Sequence, residues 1–291
     1  MDIKDFNILY NEYIDTDLEI SEDYTNRINK HFMAYLKNAN DKQADTFKTL
    51  TEALIIAMLA DLFKKWNKQL KNISKNAYDF SKEQTKELKV VKKDITKDVI
   101  ENLYKTKLDS AIADLTYVTQ NINANANRII EDIETNLEQS KKQISLDLME
   151  EYSRYGITYF TKTDGARMSI NDYIKIKSAD LAISTFRNVY FADMLSKGIE
   201  LVQVKRLPTD AIECQNCVAY DEKVLSLQEK EGYESIATAK MNGLFHFNCF
   251  HYVIPFMGEP MNEERTIIHT DDNKKSYERN VKKGIKRKLI D

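Results

Sequence analysis

Glycine and proline are almost missing from the first half of this sequence. The chain has 7 Gly and 3 Pro among 291 residues, and the first of each are Gly156 and Pro208. Because these residues are the strongest breakers of regular structure, their absence predicts a region dominated by helix. Apolar residues recur there at helical spacing, over Leu50–Trp66 and Val99–Val118. The Asn-rich segment 121–127 predicts a turn between two helices, since Asn tolerates left-handed backbone angles.

Long apolar runs and an excess of one charge are also lacking. The longest apolar run, Ala53–Ala60, is far shorter than the roughly 20 residues that a transmembrane helix needs. The chain has 43 Lys and Arg against 46 Asp and Glu, so its overall charge gives no signature of a nucleic-acid binder. Its first residues lack a basic segment followed by an apolar one. We therefore expect no membrane span and no signal peptide.

Cysteine is scarce, and all three cysteines belong to one pattern. Cys214 and Cys217 are three residues apart, and His246 precedes Cys249 at the same spacing. Two such pairs can supply the four ligands of a tetrahedral zinc ion, so we predict a site formed by Cys214, Cys217, His246 and Cys249. His251 is the alternative to His246, and buried thiols without a metal are the alternative to a zinc site. Four protein ligands leave no position for water, which indicates a structural zinc rather than a catalytic one.

The composition changes after Tyr155. Residues 157–160 favour a strand and are followed by the turn signal Asp164-Gly165, which together predict a hairpin. Ser169 and Asp172 resemble a capping box that opens a helix, and Gly198 ends that helix. Three short strands are predicted after it, at Ile199–Leu207, Lys223–Leu227 and Tyr252–Phe256.

These features predict a fold that is mainly α. An elongated helical region (residues 1–155) precedes a small α+β zinc-stapled C-terminal domain (156–262), and a polar linker with a basic tail (263–291) ends the chain. The tail from Lys274 to Asp291 has eight Lys or Arg and two acidic residues. It is predicted to bind DNA or an acidic partner surface, and the alternative is a solubilising end. The candidate contact residues are Lys282, Lys283, Lys286, Arg287 and Lys288.

Four blocks of the sequence resemble one protein family. Residues 156–173, Gly198–Val204, Cys214 with Cys217, and Gly243–His251 occur in the order found in the minor capsid protein 2 family of tailed bacteriophages. That family is related to the head-morphogenesis proteins typified by protein F of phage Mu. One departure is Lys177, which stands where the family usually has Arg, so a role that needs the bidentate guanidinium is not expected.

The resemblance implies a structural, non-enzymatic minor capsid protein inside the head near the portal, where it assists head assembly or DNA delivery. The implied partners are the portal or the major capsid protein. The charge of the tail predicts contact with packaged DNA or an acidic partner surface, and the helical region offers an extended surface for partner binding or self-association. The implied location is the virion, after assembly in the host cytoplasm.

The alternative function is a phage-encoded nuclease or toxin-like effector on the same fold. Such an enzyme needs a base and a charge-stabilising group at one site. The chain has four histidines, His31, His246, His251 and His269, and lacks the sequence signatures of common hydrolases. We therefore expect no enzymatic activity and no catalytic residues.

Overall fold

The computed structural model describes residues 3–37, 41–91, 93–137, 156–162, 164–206, 215–245, 249 and 251–258. The described chain is mainly helical, with a small sheet region towards its C-terminus. This confirms the prediction of a mainly α fold with a small C-terminal sheet. None of the described helices is both long enough and apolar enough to cross a membrane. The helices are α1 (Ile3–Lys37), α2 (Asp41–Thr85), α3 (Lys97–Leu137), α4 (Ile170–Ser196), α5 (Gln215–Val218) and α6 (Ile236–Met241). The strands are β1 (Tyr159–Thr161), β2 (Arg167–Ser169), β3 (Leu201–Arg206), β4 (Val224–Ser226) and β5 (His251–Pro255).

Contacts divide the chain into two compact units. Unit 1 comprises residues 1–80 and 96–190, and unit 2 comprises residues 81–95 and 191–291. This division does not follow the boundary expected after residue 155, because residues 156–190 group with the N-terminal helices. Each unit is therefore built from segments that are distant in the sequence.

The core of unit 1 follows the helical periodicity of the sequence. Leu54, Met58, Leu62 and Trp66 recur every four residues along α2, and all four are buried. A stripe of this spacing lies on one side of a helix, so α2 contributes a continuous apolar face. In the second predicted stripe, on α3, Leu108, Leu115 and Val118 are buried as well, whereas Val99 at its start is 42% exposed.

The predicted turn at residues 121–127 is wrong, because α3 continues through the whole segment. Ile122 and Ile129 are almost fully buried and keep the apolar face of the helix in register. The buried Asn125 uses its side-chain amide elsewhere, donating hydrogen bonds from Nδ2 to the carbonyl oxygens of Ile157 (3.1 Å) and Tyr159 (3.0 Å). An Asn that bonds across to a strand no longer competes with its own helical backbone.

The predicted hairpin and the capping box are both confirmed in unit 1. Strands β1 and β2 pair antiparallel, with Phe160 opposite Met168. Gly165 in the turn has φ +80°, a value that glycine adopts without strain. At the start of α4, the backbone N–H of Asp172 donates to Ser169 Oγ at 3.1 Å. The hairpin therefore leads directly into a capped helix.

A carboxyl group lies buried among three helices of unit 1. Asp17 on α1 is 1% exposed. Its Oδ2 accepts a hydrogen bond from Trp66 Nε1 at 2.8 Å, and its Oδ1 accepts one from Gln69 Nε2 at 2.9 Å. Trp66 Nε1 also lies within hydrogen-bond distance of Ser178 Oγ on α4, at 3.2 Å. Burial raises the pKa of Asp17 to about 6, although the hydrogen bonds from Ser178, Gln69 and Trp66 oppose the rise.

Unit 2 contains a three-stranded antiparallel sheet in the order β4-β3-β5. All three strands were predicted, and each lies within two residues of its predicted position. Val202, Val204, Leu225 and Val253 are buried and come from all three strands. The chain enters the sheet from α4 through Gly198, which has φ +75°. There the N–H of Ile199 donates to the carbonyl of Met194 at 3.0 Å, as in a helix-ending motif.

A buried ion pair joins the two segments of unit 2. Lys197 Nζ lies 2.5 Å from Asp193 Oδ2, and the two side chains are 5% and 0% exposed. The same ammonium donates to Thr85 Oγ1 at 3.2 Å. The Asp193 carboxylate also accepts from the N–H of Ile95 at 3.3 Å. These hydrogen bonds connect residues 81–95 to the end of α4.

Candidate metal centre

Two cysteines and one histidine converge in unit 2. Cys217 lies in α5, whereas Cys249 immediately precedes β5 and His251 is the first residue of that strand. Cys217 Sγ lies 3.4 Å from Cys249 Sγ, and Cys249 Sγ lies 3.5 Å from His251 Nδ1. The three ligand atoms all lie within 4.8 Å of one another. Within the described part of the chain, no other group of three or more Cys, His, Asp or Glu side chains has this geometry.

These separations fit a shared metal ion. Two sulfurs joined in a disulfide would be only about 2.05 Å apart. Ligand atoms that surround a tetrahedral zinc with bonds of about 2.3 Å to sulfur lie roughly 3.5–3.8 Å from each other. Cys217 is 0% exposed and His251 is 7% exposed. Cys249 is half-buried, and the three residues form a largely buried group that could bind a metal ion.

Strand β3 positions both sides of this group. His251 is paired with Arg206 on β3. On the other side of the cluster, α5 is followed by a turn in which the N–H of Tyr220 donates to the carbonyl of Cys217 at 2.9 Å. The N–H of Glu222 then donates to the carbonyl of Val204 on β3 at 3.0 Å. Backbone hydrogen bonds to one strand thus hold the cysteine turn and the histidine strand in place.

A polar cluster around Glu234 supports the turn that carries Cys217. Glu234 accepts hydrogen bonds from the Tyr220 hydroxyl (2.9 Å), the Lys223 ammonium (2.5 Å) and the Asn242 amide (3.2 Å). Burial alone would raise the pKa of Glu234, but the bonds from Lys223 and Tyr220 outweigh it and hold the pKa below its usual value. The carboxylate therefore stays ionised and links residues before and after α6. No sequence motif pointed to this cluster.

Two of the four predicted zinc ligands lie within the described residues. Cys217 and Cys249 lie together, as the spacing predicts. Cys214 and His246 lie outside the described residues. The histidine that the structure brings to the cluster is His251, the alternative to His246. The signal for it is the two-residue spacing of Cys249 and His251, since alternate residues of an extended strand project to the same side.

The other predicted sites are separate from this cluster. The tail residues Lys282, Lys283, Lys286, Arg287 and Lys288 lie outside the described residues, as does His269. Lys177 lies in unit 1, where its Nζ is 2.5 Å from Asp114 Oδ2 on α3. That ion pair gives Lys177 a role in helix packing that a point charge can fill. No family model, curated protein or solved structure matches this chain.

Proposed function

We propose that this chain is a structural minor capsid protein of a tailed bacteriophage. In this proposal it lies inside the head near the portal, assists head assembly or DNA delivery, and carries out no catalysis. The observation that carries the proposal is the convergence of Cys217, Cys249 and His251. These residues come from the last two of the four sequence blocks that resemble the minor capsid protein 2 family, and those blocks are about 30 residues apart.

The metal in this proposal is a structural zinc ion. Thiolate and imidazole donors in a tetrahedral arrangement suit zinc better than harder cations, which prefer oxygen ligands. Cys217, Cys249 and His251 would supply three ligands, and Cys214 or His246 would supply the fourth. A zinc ion held in this way would tie α5 to the start of β5, so that unit 2 forms a rigid docking module.

The partners follow from the same proposal. The docking surface of unit 2 would bind the portal or the major capsid protein. The basic tail would contact packaged DNA, because each Lys or Arg can displace a counterion from a phosphate.

Metal analysis of the purified protein tests the zinc site. We expect about one zinc ion per chain, as a closed four-ligand site requires, and a lower melting temperature after chelation. Cys217→Ser should lose the zinc and destabilise unit 2. Met241→Ser is a matched control in the same unit, since Met241 is 80% exposed and is not one of the candidate ligands. A metal-free protein whose melting is unchanged by chelator would contradict the zinc site and leave only buried thiols.

Particle composition tests the head role separately. Heads purified from a phage that encodes this chain, treated with nuclease and protease to remove external material, should contain the protein at a few copies each. Deletion of the gene should reduce DNA-filled or infectious particles. A zinc-loaded protein that is absent from purified heads would refute the head role while leaving the metal site intact. Metal-dependent cleavage of nucleic acid by the pure protein would favour the effector alternative.

A further inference from the structure

Helix α2 exposes an apolar stripe on the side opposite its core face. Ile56 is 67% exposed and Phe63 is 43% exposed. Ala53, one turn before Ile56, and Ala60, which lies between Ile56 and Phe63, are exposed as well. At 100° per residue, these four residues lie within about 40° of one line along the helix. We call this set the α2 stripe. It lies wholly in unit 1.

The α2 stripe is more than a scattered pair of surface residues. Ala53, Ile56 and Ala60 fall within the longest apolar run of the sequence, residues 53–60, and Phe63 extends the stripe by one turn beyond Asp61. Single exposed apolar residues are normal on protein surfaces, whereas a contiguous exposed set with polar residues at both ends is typical of an interface. A large residue alternates with a small one along it, which is the pattern that lets two helices interlock closely.

The charges on either side of the stripe are unequal. Residues 41–56 contain two lysines and three acidic residues, a net charge of −1. Residues 61–76 contain five lysines and one aspartate, a net charge of +4. Lys64, Lys68, Lys71 and Lys75 are all exposed. A helix that packs on this surface therefore meets a strongly basic segment on one side of the apolar centre only.

We propose that the α2 stripe is a self-association surface on which a second copy of this chain docks antiparallel. The twofold axis would pass between Leu59 and Ala60, so that Ile56 of each copy lies opposite Phe63 of the other. The small Ala60 side chain beside the axis allows the two helices to approach closely. This pairing brings Ile56, Ala60 and Phe63 of each copy together at the centre of the contact.

Charge selects the antiparallel orientation over the parallel one. A parallel pair would set the two +4 segments face to face, and like charges within a Debye length of about 8–10 Å repel. In the antiparallel pair, each +4 segment faces the −1 segment of the other copy. The same surface thus fits a second copy in one orientation, and this inference does not depend on the proposed role in the phage head.

The oligomeric state of the full-length protein tests the proposal. We expect a dimer in sedimentation equilibrium, and Ile56→Asp with Phe63→Asp should weaken dimerisation at least about tenfold, because burying two carboxylates in an apolar contact is unfavourable. Tyr117→Asp is the matched control, since Tyr117 is 71% exposed on α3 and lies off the stripe. Both variants change exposed positions, so their thermal melting should match the wild type. A monomeric wild-type protein, or a dimer that the stripe variant leaves intact, would overturn the proposal.

Cross-linking tests the orientation. With a short bismaleimide linker, Ala60→Cys should cross-link efficiently to its counterpart beside the twofold axis, above the background of the native cysteines. Asn67→Cys should not, because the two copies of residue 67 would be about 22 Å apart along an antiparallel pair. Efficient cross-linking of Asn67→Cys would indicate a parallel pair and overturn the proposed register.

Discussion

Replacing Asp17 by Asn should remove a specific pH dependence from the stability of unit 1. Asp17 is 1% exposed and accepts hydrogen bonds from Trp66 and Gln69. Burial raises its pKa from 3.8 to about 6, so the folded protein binds this proton more tightly than the unfolded chain does. The stabilisation from this proton is complete below pH 3.8 and is lost as the pH rises through about 6.

The size of the effect follows from the pKa difference. A rise of roughly two pKa units at about 1.4 kcal/mol per unit corresponds to about 3 kcal/mol. The free energy of unfolding of the wild type, minus that of Asp17→Asn, should therefore fall by about 3 kcal/mol between roughly pH 4 and pH 6.5. Above that range the difference should stay constant. Any fixed cost of the amide in this site shifts the whole difference curve without changing its slope.

The chain provides its own reporter for this measurement. Trp66 is the only tryptophan, and its indole nitrogen bonds directly to Asp17. Urea unfolding followed by Trp66 fluorescence at several pH values gives the two free energies for the unit that contains the site. Asp15→Asn is the matched control, because Asp15 lies on the same helix but is exposed. Parallel pH curves for the wild type and Asp17→Asn would refute the linkage argument.

Four further changes test other parts of the structure. Lys197→Met should lower the free energy of unfolding by about 3–5 kcal/mol, because it leaves Asp193 charged and buried, and adding Asp193→Leu should recover most of the loss. Gly198→Ala should lower the melting temperature, with a cost of about 1–2 kcal/mol from the left-handed backbone, because the added methyl group would make only an ordinary contact with Val91 Cγ2 at 3.9 Å. Asn125→Ala should cost about 1–3 kcal/mol in urea unfolding, because two strand carbonyls lose their donor. Deleting residues 274–291 should preserve zinc content and remove salt-sensitive binding of duplex DNA, measured by fluorescence anisotropy at two salt concentrations.

Local patterns predicted most of the elements. The apolar spacing from Leu54 to Trp66 gave a helical face because helix periodicity fixes which side chains share a side. The capping box at Ser169 and the helix end at Gly198 were correct because both depend on backbone bonding within a few residues. The short strands of unit 2 were located by composition and turn signals.

Contacts between residues that are distant in the sequence could not be predicted from local patterns. Asn125 belongs to a segment whose composition favours a turn, and only its bonds to the carbonyls of Ile157 and Tyr159 explain why the helix continues. Asp17 is one of 46 acidic residues, and nothing local distinguishes it from its exposed neighbours. The grouping of residues 81–95 with unit 2 rests on Lys197 and Asp193, which are about 100 positions away. Such contacts are set by tertiary packing, which overrides local preference.

The cysteine and histidine cluster contains a histidine, His251, that the four-residue spacing alone does not favour. A four-residue Cys or His pair predicts that both side chains reach one ion from a tight turn, and that reasoning favours His246. An extended segment offers another solution, because residues two apart project to the same side. Cys249 and His251 have that spacing, and β5 begins at His251. Pairing of His251 with Arg206 fixes the start of β5, and the imidazole there lies close to both Cys217 and Cys249.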